Sequence, residues 1–183
     1  MKFLKTELPG VIAIEPEVYK DDRGIFFEGY NRDLFVQNGI LVDFVQDNQS
    51  RSAKGVLRGL HFQLPPADQA KLVRVLRGEV FDVVVDIRKG SKTFGKYLGG
   101  VLSAENKKML YIPSGFAHGF LALTEGVEFL YKVSKSYSPT HQRGVLWSDP
   151  AIGIPWPKLD VSYLLSEKDR IQPNLQSAEV FAG

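Results

Sequence analysis

Apolar and polar residues alternate with a period of two in several stretches of the chain, as they do in half-buried β-strands. Four such stretches lie within residues 42–48, 71–75, 81–87 and 127–133. The side chains expected to share a face are Val42, Phe44, Gln46 and Asn48 in the first, Lys71, Val73 and Val75 in the second, Phe81, Val83, Val85 and Ile87 in the third, and Val127, Phe129, Tyr131 and Val133 in the fourth.

Turn-forming residues separate these strands at short intervals. Gly78 follows the second stretch, and segments 88–91, 98–100 and 124–126 place glycine between or beside the apolar runs. Short strands with frequent turns are typical of antiparallel barrels and double-sheet jelly rolls. We therefore expect an all-β fold, a jelly-roll barrel of antiparallel strands with a few short helices, in one domain spanning residues 1–183.

Only two segments favour helix. Asn31 is a suitable N-cap for two turns that end before Gly39. Residues 166–169, Ser-Glu-Lys-Asp, read as a capping box that opens a short helix, which Pro173 would stop. The segment 136–157 is rich in Pro, Trp and Gly, and we expect it to wrap the barrel as an ordered loop.

The composition then removes several classes of chemistry. The 183 residues include no cysteine and only three histidines, which excludes disulfide frameworks, thiolate metal sites and cysteine nucleophiles. The formal net charge is +2 with both signs mixed, so no basic stripe predicts nucleic acid as a partner. No apolar stretch has the length of a membrane span or a signal peptide. We therefore expect a soluble, cytoplasmic protein with neither a membrane nor a nucleic-acid partner.

Residues 58–63, Arg-Gly-Leu-His-Phe-Gln, contain the first candidate for chemistry. His61 is the kind of side chain that moves a proton near neutral pH, and Arg58 close by indicates an anion site. A lone histidine is more often a core residue satisfied by hydrogen bonds. Positions 58 and 61 also have opposite strand parity, so both side chains reach one pocket only if Gly59 kinks the strand.

Residues 113–120 contain the second candidate, a Pro-x-Gly-x-x-His spacing that ends at His118. This spacing resembles the second motif of the cupin barrels, in which the histidine often binds a metal. The first cupin motif has two histidines one residue apart, whereas here Gln63 follows His61 at that spacing. Two histidines and a distant carboxylate could still hold iron, but without the pair we expect a metal-free cupin.

Three further polar residues have competing interpretations. Lys71 shares a face with apolar residues, where it either meets an anion or extends its ammonium to solvent at the strand end. Tyr131 could donate a proton or only pack among aromatic residues, and Asp169 could simply complete the capping box. Arg23 and Glu28 could be ordinary turn and surface charges.

Six segments that occur in this order along the chain resemble the motifs of a known family, and the resemblance favours the functional interpretation of these residues. They are Asp22-Arg23-Gly24, residues 44–48 (FVQDN), 57–63 (LRGLHFQ), 71–75 (KLVRV), 115–120 (GFAHGF) and 165–170 (LSEKDR). Together they resemble the dTDP-4-dehydrorhamnose 3,5-epimerases from about Gly10 to about Pro173. This likeness rests on the motif set, not on composition or spacing.

The resemblance implies an enzyme that acts on dTDP-4-dehydro-6-deoxy-D-glucose without a metal or other cofactor. His61 matches the base, Asp169 the carboxylate that orients it, Tyr131 the acid on the opposite ring face, and Lys71 the cation beside the enolate oxygen. Arg23 and Arg58 are expected at the diphosphate, Phe26 near the nucleotide and Tyr137 stacked on thymine. The full set of expected substrate-binding residues is Arg23, Phe26, Glu28, Gln46, Asp47, Asn48, Arg58, Lys71, His118, Tyr137, Gln142 and Lys168.

The resemblance also implies a homodimer. At one position the chain departs from the pattern of the family. Gln142 stands where the family usually has glutamate, so one nucleotide contact is expected to differ. Three alternatives stay open: an epimerase that inverts only one carbon or acts on a related sugar nucleotide, a sugar-nucleotide-binding cupin without catalysis, and a metal-dependent cupin oxygenase. The set of His61, Tyr131 and Asp169 favours double epimerisation.

Overall fold

The computed structural model describes residues 1–182, which form strands and two short helices in a fixed order along the chain. The elements are β1 (Lys2–Lys5), β2 (Ile12–Glu15), β3 (Tyr19–Asp21), β4 (Gly24–Phe26), α1 (Arg32–Gln37), β5 (Gln46–Ser52), β6 (Leu57–Gln63), β7 (Lys71–Arg77), β8 (Glu79–Asp86), β9 (Tyr97–Ser103), β10 (Met109–Ile112), β11 (Phe116–Ala122), β12 (Val127–Val133), β13 (Gln142–Gly144) and α2 (Glu167–Arg170). Neither helix of this described part is long and apolar enough to cross a membrane.

Two antiparallel sheets face each other. The larger has six strands in the order β1-β2-β10-β7-β12-β5, and the smaller has five in the order β13-β6-β11-β8-β9. Strands β3 and β4 pair only with each other, as a separate hairpin. Most neighbours in a sheet are distant in sequence, which is the double-sheet jelly-roll arrangement that the strand pattern predicts.

The apolar residues form three layers. Val73, Val127 and Phe129 of the larger sheet pack against residues such as Val84 and Phe120 of the smaller sheet, between the two. The outer face of the smaller sheet is covered by the chain after β13, which contributes Val145, Ile152, Leu175, Ala178 and Val180. The outer face of the larger sheet is covered by α1 and the segment after it, through Phe35 and Ile40. Both sheets are therefore buried on two sides.

The helix predictions are confirmed. The Asn31 side chain accepts a hydrogen bond from the Leu34 amide at the start of α1, and the Ser166 side chain accepts one from the Asp169 amide at the start of α2. The prediction for residues 42–48 is wrong in part. Val42 and Phe44 precede β5 and pack beside α1 on the outer face, whereas Asn48 lies opposite Tyr131 in the strand pairing.

Asp86, at the end of β8, is a fully buried carboxylate with many donors. It accepts hydrogen bonds from the Arg88 guanidinium at 2.9 and 2.7 Å, and from Ser91 and Thr93 hydroxyls at 2.6 Å each. Burial alone would raise the pKa of Asp86, but the hydrogen bonds from Arg88, Ser91 and Thr93 lower it to about 2. The charged form therefore stabilises the fold above the ordinary carboxyl pKa, and this stabilisation is lost as the pH falls towards about 2.

Asp86→Asn is expected to lower the free energy of unfolding by about 3 kcal/mol, because it leaves a partly buried guanidinium without its counter-ion. Urea denaturation at neutral pH measures this. Asp43→Asn is the control, because Asp43 binds Arg32 in an exposed pair, so its loss should leave the free energy of unfolding nearly unchanged. Equal losses for the two variants would contradict the assigned role of Asp86.

Candidate active site

A cavity of about 500 Å³ opens between the two sheets beside α2. Nine of the candidate residues line it: Arg58, His61, Lys71, His118, Tyr131, Tyr137, Gln142, Lys168 and Asp169. Strands β6, β11 and β13 of the smaller sheet, β7 and β12 of the larger sheet, and α2 supply most of them. Polar side chains from distant parts of the sequence therefore converge on one space.

His61 and Asp169 form a hydrogen-bonded pair at this cavity. The His61 Nε2 lies 2.5 Å from Asp169 Oδ1, and the Ser166 cap holds the first turn of α2 that presents Asp169. Burial would raise the pKa of Asp169, but the hydrogen bond and charge of His61 dominate and hold that pKa below its ordinary value. With Nε2 directed at a carboxylate, Nδ1 is the nitrogen left to accept a proton.

Strand β6 is distorted at Gly59, as the parity of Arg58 and His61 requires. His61 pairs with His118 and Arg58 pairs with Phe120, so β6 has one extra residue over this interval. Gly59 has a φ of +135°, and a Cβ there would lie 2.6 Å from the Gly119 Cα. Both side chains line the same cavity, which confirms that Gly59 is needed for their convergence.

Lys71 opens β7 and is 8% exposed. Its ammonium donates a hydrogen bond to the His61 carbonyl at 3.3 Å. Burial lowers the pKa of Lys71 to about 8, although the negative charge of Asp82 acts in the opposite direction. The interpretation of Lys71 as a residue that extends to solvent is therefore wrong, since its buried ammonium lines the cavity beside His61.

Asp82 also lies at the site, although it was not among the candidate residues predicted from the sequence. It lies on the inward face of β8, its Oδ2 is 2.8 Å from His118 Nε2, and the carboxylate is buried. Its Oδ1 has no hydrogen-bond partner within the described residues. An isolated carboxylate inside the apolar run 80–85 was the available signal, because such a charge requires a partner in the fold.

Tyr131 lies on β12 of the larger sheet, whereas His61 belongs to the smaller sheet. The two side chains therefore reach the cavity from opposite walls. Burial raises the pKa of Tyr131 above its ordinary value, with Arg58 acting to lower it and Tyr137 to raise it. The phenol is consequently protonated at neutral pH and can serve as an acid.

The Gln142 side chain forms hydrogen bonds with two other residues that line the cavity. Its Oε1 accepts hydrogen bonds from the Tyr137 hydroxyl at 2.6 Å and from the Lys168 ammonium at 2.5 Å. Gln63, at the position of a metal-binding histidine in cupins, instead donates to the Ala67 carbonyl and accepts from the Ser138 amide. Within residues 1–182, no group of three His, Asp or Glu side chains is arranged to hold a metal ion. A metal-free site stays a prediction, which elemental analysis of the purified protein can test.

Six of the expected substrate-binding residues do not line the cavity of their own chain. They are Arg23, Phe26, Glu28, Gln46, Asp47 and Asn48. The first two belong to the β3–β4 hairpin, where Arg23 pairs with Asp21 and Phe26 is 68% exposed.

The remaining four lie in different surroundings. Glu28 accepts a hydrogen bond from Asn31. On β5, Gln46 accepts one from the amide of the lining residue Tyr137 and donates one to Asn48. Asp47 is directed to the opposite face of the sheet, where it pairs with Lys132.

Comparison with known proteins identifies the family. The sequence model of the dTDP-4-dehydrorhamnose 3,5-epimerases matches residues 5–177. A dTDP-4-dehydrorhamnose 3,5-epimerase from Shigella flexneri is 56% identical over 170 residues, which cover 92% of this chain and 93% of the relative. One from Pseudomonas aeruginosa is 54% identical over 182 residues and covers 99% of both chains.

A solved structure agrees with these sequences. It is the crystal structure of dTDP-6-deoxy-D-glucose-3,5-epimerase from Legionella pneumophila in complex with dTDP-4-keto-L-rhamnose. It matches with a TM-score of 0.95 at 43% identity, over 100% of this chain and 98% of that chain. The family model and these relatives lead to one assignment: the chain belongs to the dTDP-4-dehydrorhamnose 3,5-epimerase family.

Proposed function

We propose that the protein is a dTDP-4-dehydrorhamnose 3,5-epimerase, which converts dTDP-4-dehydro-6-deoxy-D-glucose to dTDP-4-dehydro-L-rhamnose. One observation carries the proposal: the His61–Asp169 pair and the Tyr131 phenol reach one cavity from opposite walls. The C4 ketone of this substrate acidifies the protons on C3 and C5. Inversion at each carbon then requires a base on one face of the ring and an acid on the other.

In the proposed mechanism, His61 Nδ1 takes the proton from C5 or C3. The electrons of that C–H bond form the enolate, and the C4 oxygen becomes negatively charged. Asp169 stabilises the imidazolium, and the Lys71 ammonium stabilises the enolate oxygen. Tyr131 then donates its phenolic proton to the same carbon from the opposite face. Exchange with water restores the proton on Tyr131 and removes the one on His61.

The direct test is incubation of the protein with dTDP-4-dehydro-6-deoxy-D-glucose in heavy water, followed by NMR. Deuterium should appear at both C3 and C5, because each reprotonation draws on solvent-exchanged groups. Incorporation at only one carbon would contradict double epimerisation and indicate a single-site epimerase. An absence of incorporation at both carbons would refute the enzymatic function and favour a cupin that only binds the sugar nucleotide.

Tyr131→Phe is expected to separate proton removal from inversion. The variant keeps the ring but loses the phenolic proton, so net epimerisation should fall about 10²-fold or more while deuterium exchange continues on the His61 side. Parallel time courses of exchange and of product formation measure the two rates. Tyr111→Phe is a control, because Tyr111 packs beside α1 on the outer face of the larger sheet. An equal loss of exchange and epimerisation in Tyr131→Phe would contradict the assignment of Tyr131 as acid.

We also propose that the protein is a homodimer in which the β3–β4 hairpin packs on the partner subunit. The hairpin joins neither sheet of its own chain. It exposes Tyr19, Ile25 and Phe26, the last with 68% of its surface free. It also bears two expected binding residues, Arg23 and Phe26, that are outside the cavity of their own chain. Insertion of the hairpin at the partner's cavity would account for both features.

Sedimentation tests this proposal. The wild-type protein should sediment at twice the chain mass of 20.5 kDa. Phe26→Asp should shift it towards monomer, since a charge would replace an apolar contact in the interface. Val101→Asp, an exposed apolar position on β9 outside the hairpin, serves as control and should remain dimeric. A monomeric wild-type protein, or a Phe26→Asp variant that stays dimeric, would contradict the hairpin interface.

A further inference from the structure

We propose that Gln142 sets the affinity of the cavity for a diphosphate, because its neutral side chain holds Lys168 and Tyr137 in place without neutralising the Lys168 ammonium. The inference rests on the proposed function, since it concerns how the same cavity binds the diphosphate of a sugar nucleotide. It makes Gln142 a specificity-determining residue of this chain, and not a weakened copy of a glutamate.

Two side chains that line the cavity donate hydrogen bonds to the same acceptor atom, Gln142 Oε1. Gln142 lies on β13 opposite Gln63, next to the wall that bears His61. Its Oε1 accepts hydrogen bonds from the Tyr137 hydroxyl at 2.6 Å and from the Lys168 ammonium at 2.5 Å. Since a side-chain amide oxygen has two lone pairs, both are used by these hydrogen bonds. The amide nitrogen of Gln142 makes no hydrogen bond within the described residues and remains a donor at the cavity.

The cationic side chains near Gln142 Oε1 have no carboxylate counter-ion in the described part of the chain, so an anion can bind between them. Lys168 forms no salt bridge to a carboxylate within residues 1–182, although its positive charge helps to lower the pKa of the neighbouring Asp169. The side chain of Arg58, which also lines the cavity, makes its one hydrogen bond of the described structure to the Ser52 hydroxyl. Asp169 is the carboxylate that lines the cavity, and it is bound to His61. Arg58 and Lys168 therefore remain available as counter-ions for a diphosphate.

A carboxylate at position 142 would add a negative charge beside Lys168 without changing the hydrogen bonds that the side chain accepts. It could accept the same two hydrogen bonds, but it would form an ion pair with Lys168 and repel the ligand phosphates. Because the site is open to solvent, the expected effect is modest, and it should decrease as salt screens the charges. A neutral nucleoside without phosphates would not respond to it.

The test compares dTDP with thymidine by titration calorimetry on the intact protein at low and high salt. Gln142→Glu should weaken dTDP binding roughly five-fold at low salt, less at high salt, and leave thymidine binding unchanged. Gln142→Met removes the acceptor of both Tyr137 and Lys168 but adds no charge, so it should weaken the binding of both ligands, that of dTDP at least as much as that of thymidine. Gln176→Glu adds the same charge at an exposed position outside the cavity, and should change neither.

The outcomes separate this inference from the proposed function. Unchanged dTDP binding in Gln142→Glu, or an equal loss for dTDP and thymidine, would overturn the role of charge at position 142. An unchanged thymidine affinity in Gln142→Met would overturn the positioning of Tyr137. Failure of the wild-type protein to bind dTDP would instead refute the proposed function itself.

Discussion

His61→Asn should abolish deuterium exchange at both C3 and C5, with a loss of at least about 10³-fold in rate. An amide cannot accept the proton that imidazole Nδ1 takes, although asparagine can still form a hydrogen bond to Asp169. Because one base serves both carbons in the proposed mechanism, the two positions should lose exchange together. NMR of the substrate in heavy water measures both in one experiment.

The control for this variant is His141→Asn, which makes the same replacement in a loop. His141 does not line the cavity, and its Nδ1 is 2.7 Å from the Ser138 hydroxyl. Exchange should continue at the wild-type rate in that variant. In His61→Asn, dTDP binding should remain measurable, which shows that the site is still folded. Exchange that persists at either carbon of His61→Asn would remove His61 from the role of sole base.

Activity should also fall about 10²-fold as the pH rises well above about 8, the pKa of Lys71 in the fold. The burial that lowers this pKa favours the neutral amine, so the ammonium needed at the enolate oxygen is present below about pH 8 and lost above it. Tyr131 does not produce this decline, because burial raises its pKa above the ordinary value of 10.0. The dependence of kcat/KM on pH measures the alkaline limb.

Two variants test whether the decline of activity above about pH 8 is caused by Lys71. Asp82→Asn removes the negative charge that opposes the effect of burial, so the limb should move to lower pH. Lys71→Arg keeps a cation at all accessible pH values, so the limb near pH 8 should disappear even where the overall rate is lower. Asp33→Asn, in the first turn of α1, is the control for Asp82→Asn and should leave the limb in place. An unchanged limb in Lys71→Arg would assign it to another group.

The sequence pattern predicted the strands at 71–75, 81–87 and 127–133 correctly, because each has a face in the core and an alternation that only an extended chain satisfies. The same pattern was wrong at Val42 and Phe44. These two residues are half-buried beside α1 on the outer face of the sheet, and alternation cannot tell packing under a helix from burial in a strand. Both helices were predictable because their capping side chains act on their own first turns.

The cavity shows where prediction from residues alone ends. The parity of Arg58 and His61 indicated a kink at Gly59, which is a local requirement that the fold meets. Nothing local indicated that Asp82 would lie at His118, or that Gln142 would join Tyr137 to Lys168. The first contact depends on the pairing of β8 with β11, and the second on the position of α2 beside the cavity.

The sequence by itself therefore determined three of the strands, both helices with their caps, the glycine at which β6 bends and, through its motifs, the family. The tertiary structure decided which of the candidate residues share one cavity. His61 and Asp169 are 108 residues apart, and His61 and Tyr131 come from different sheets. The physical reason is that hydrogen bonds within a turn and alternation along a strand are short-range properties. The meeting of two sheets is a long-range one, set by the burial of both apolar faces together.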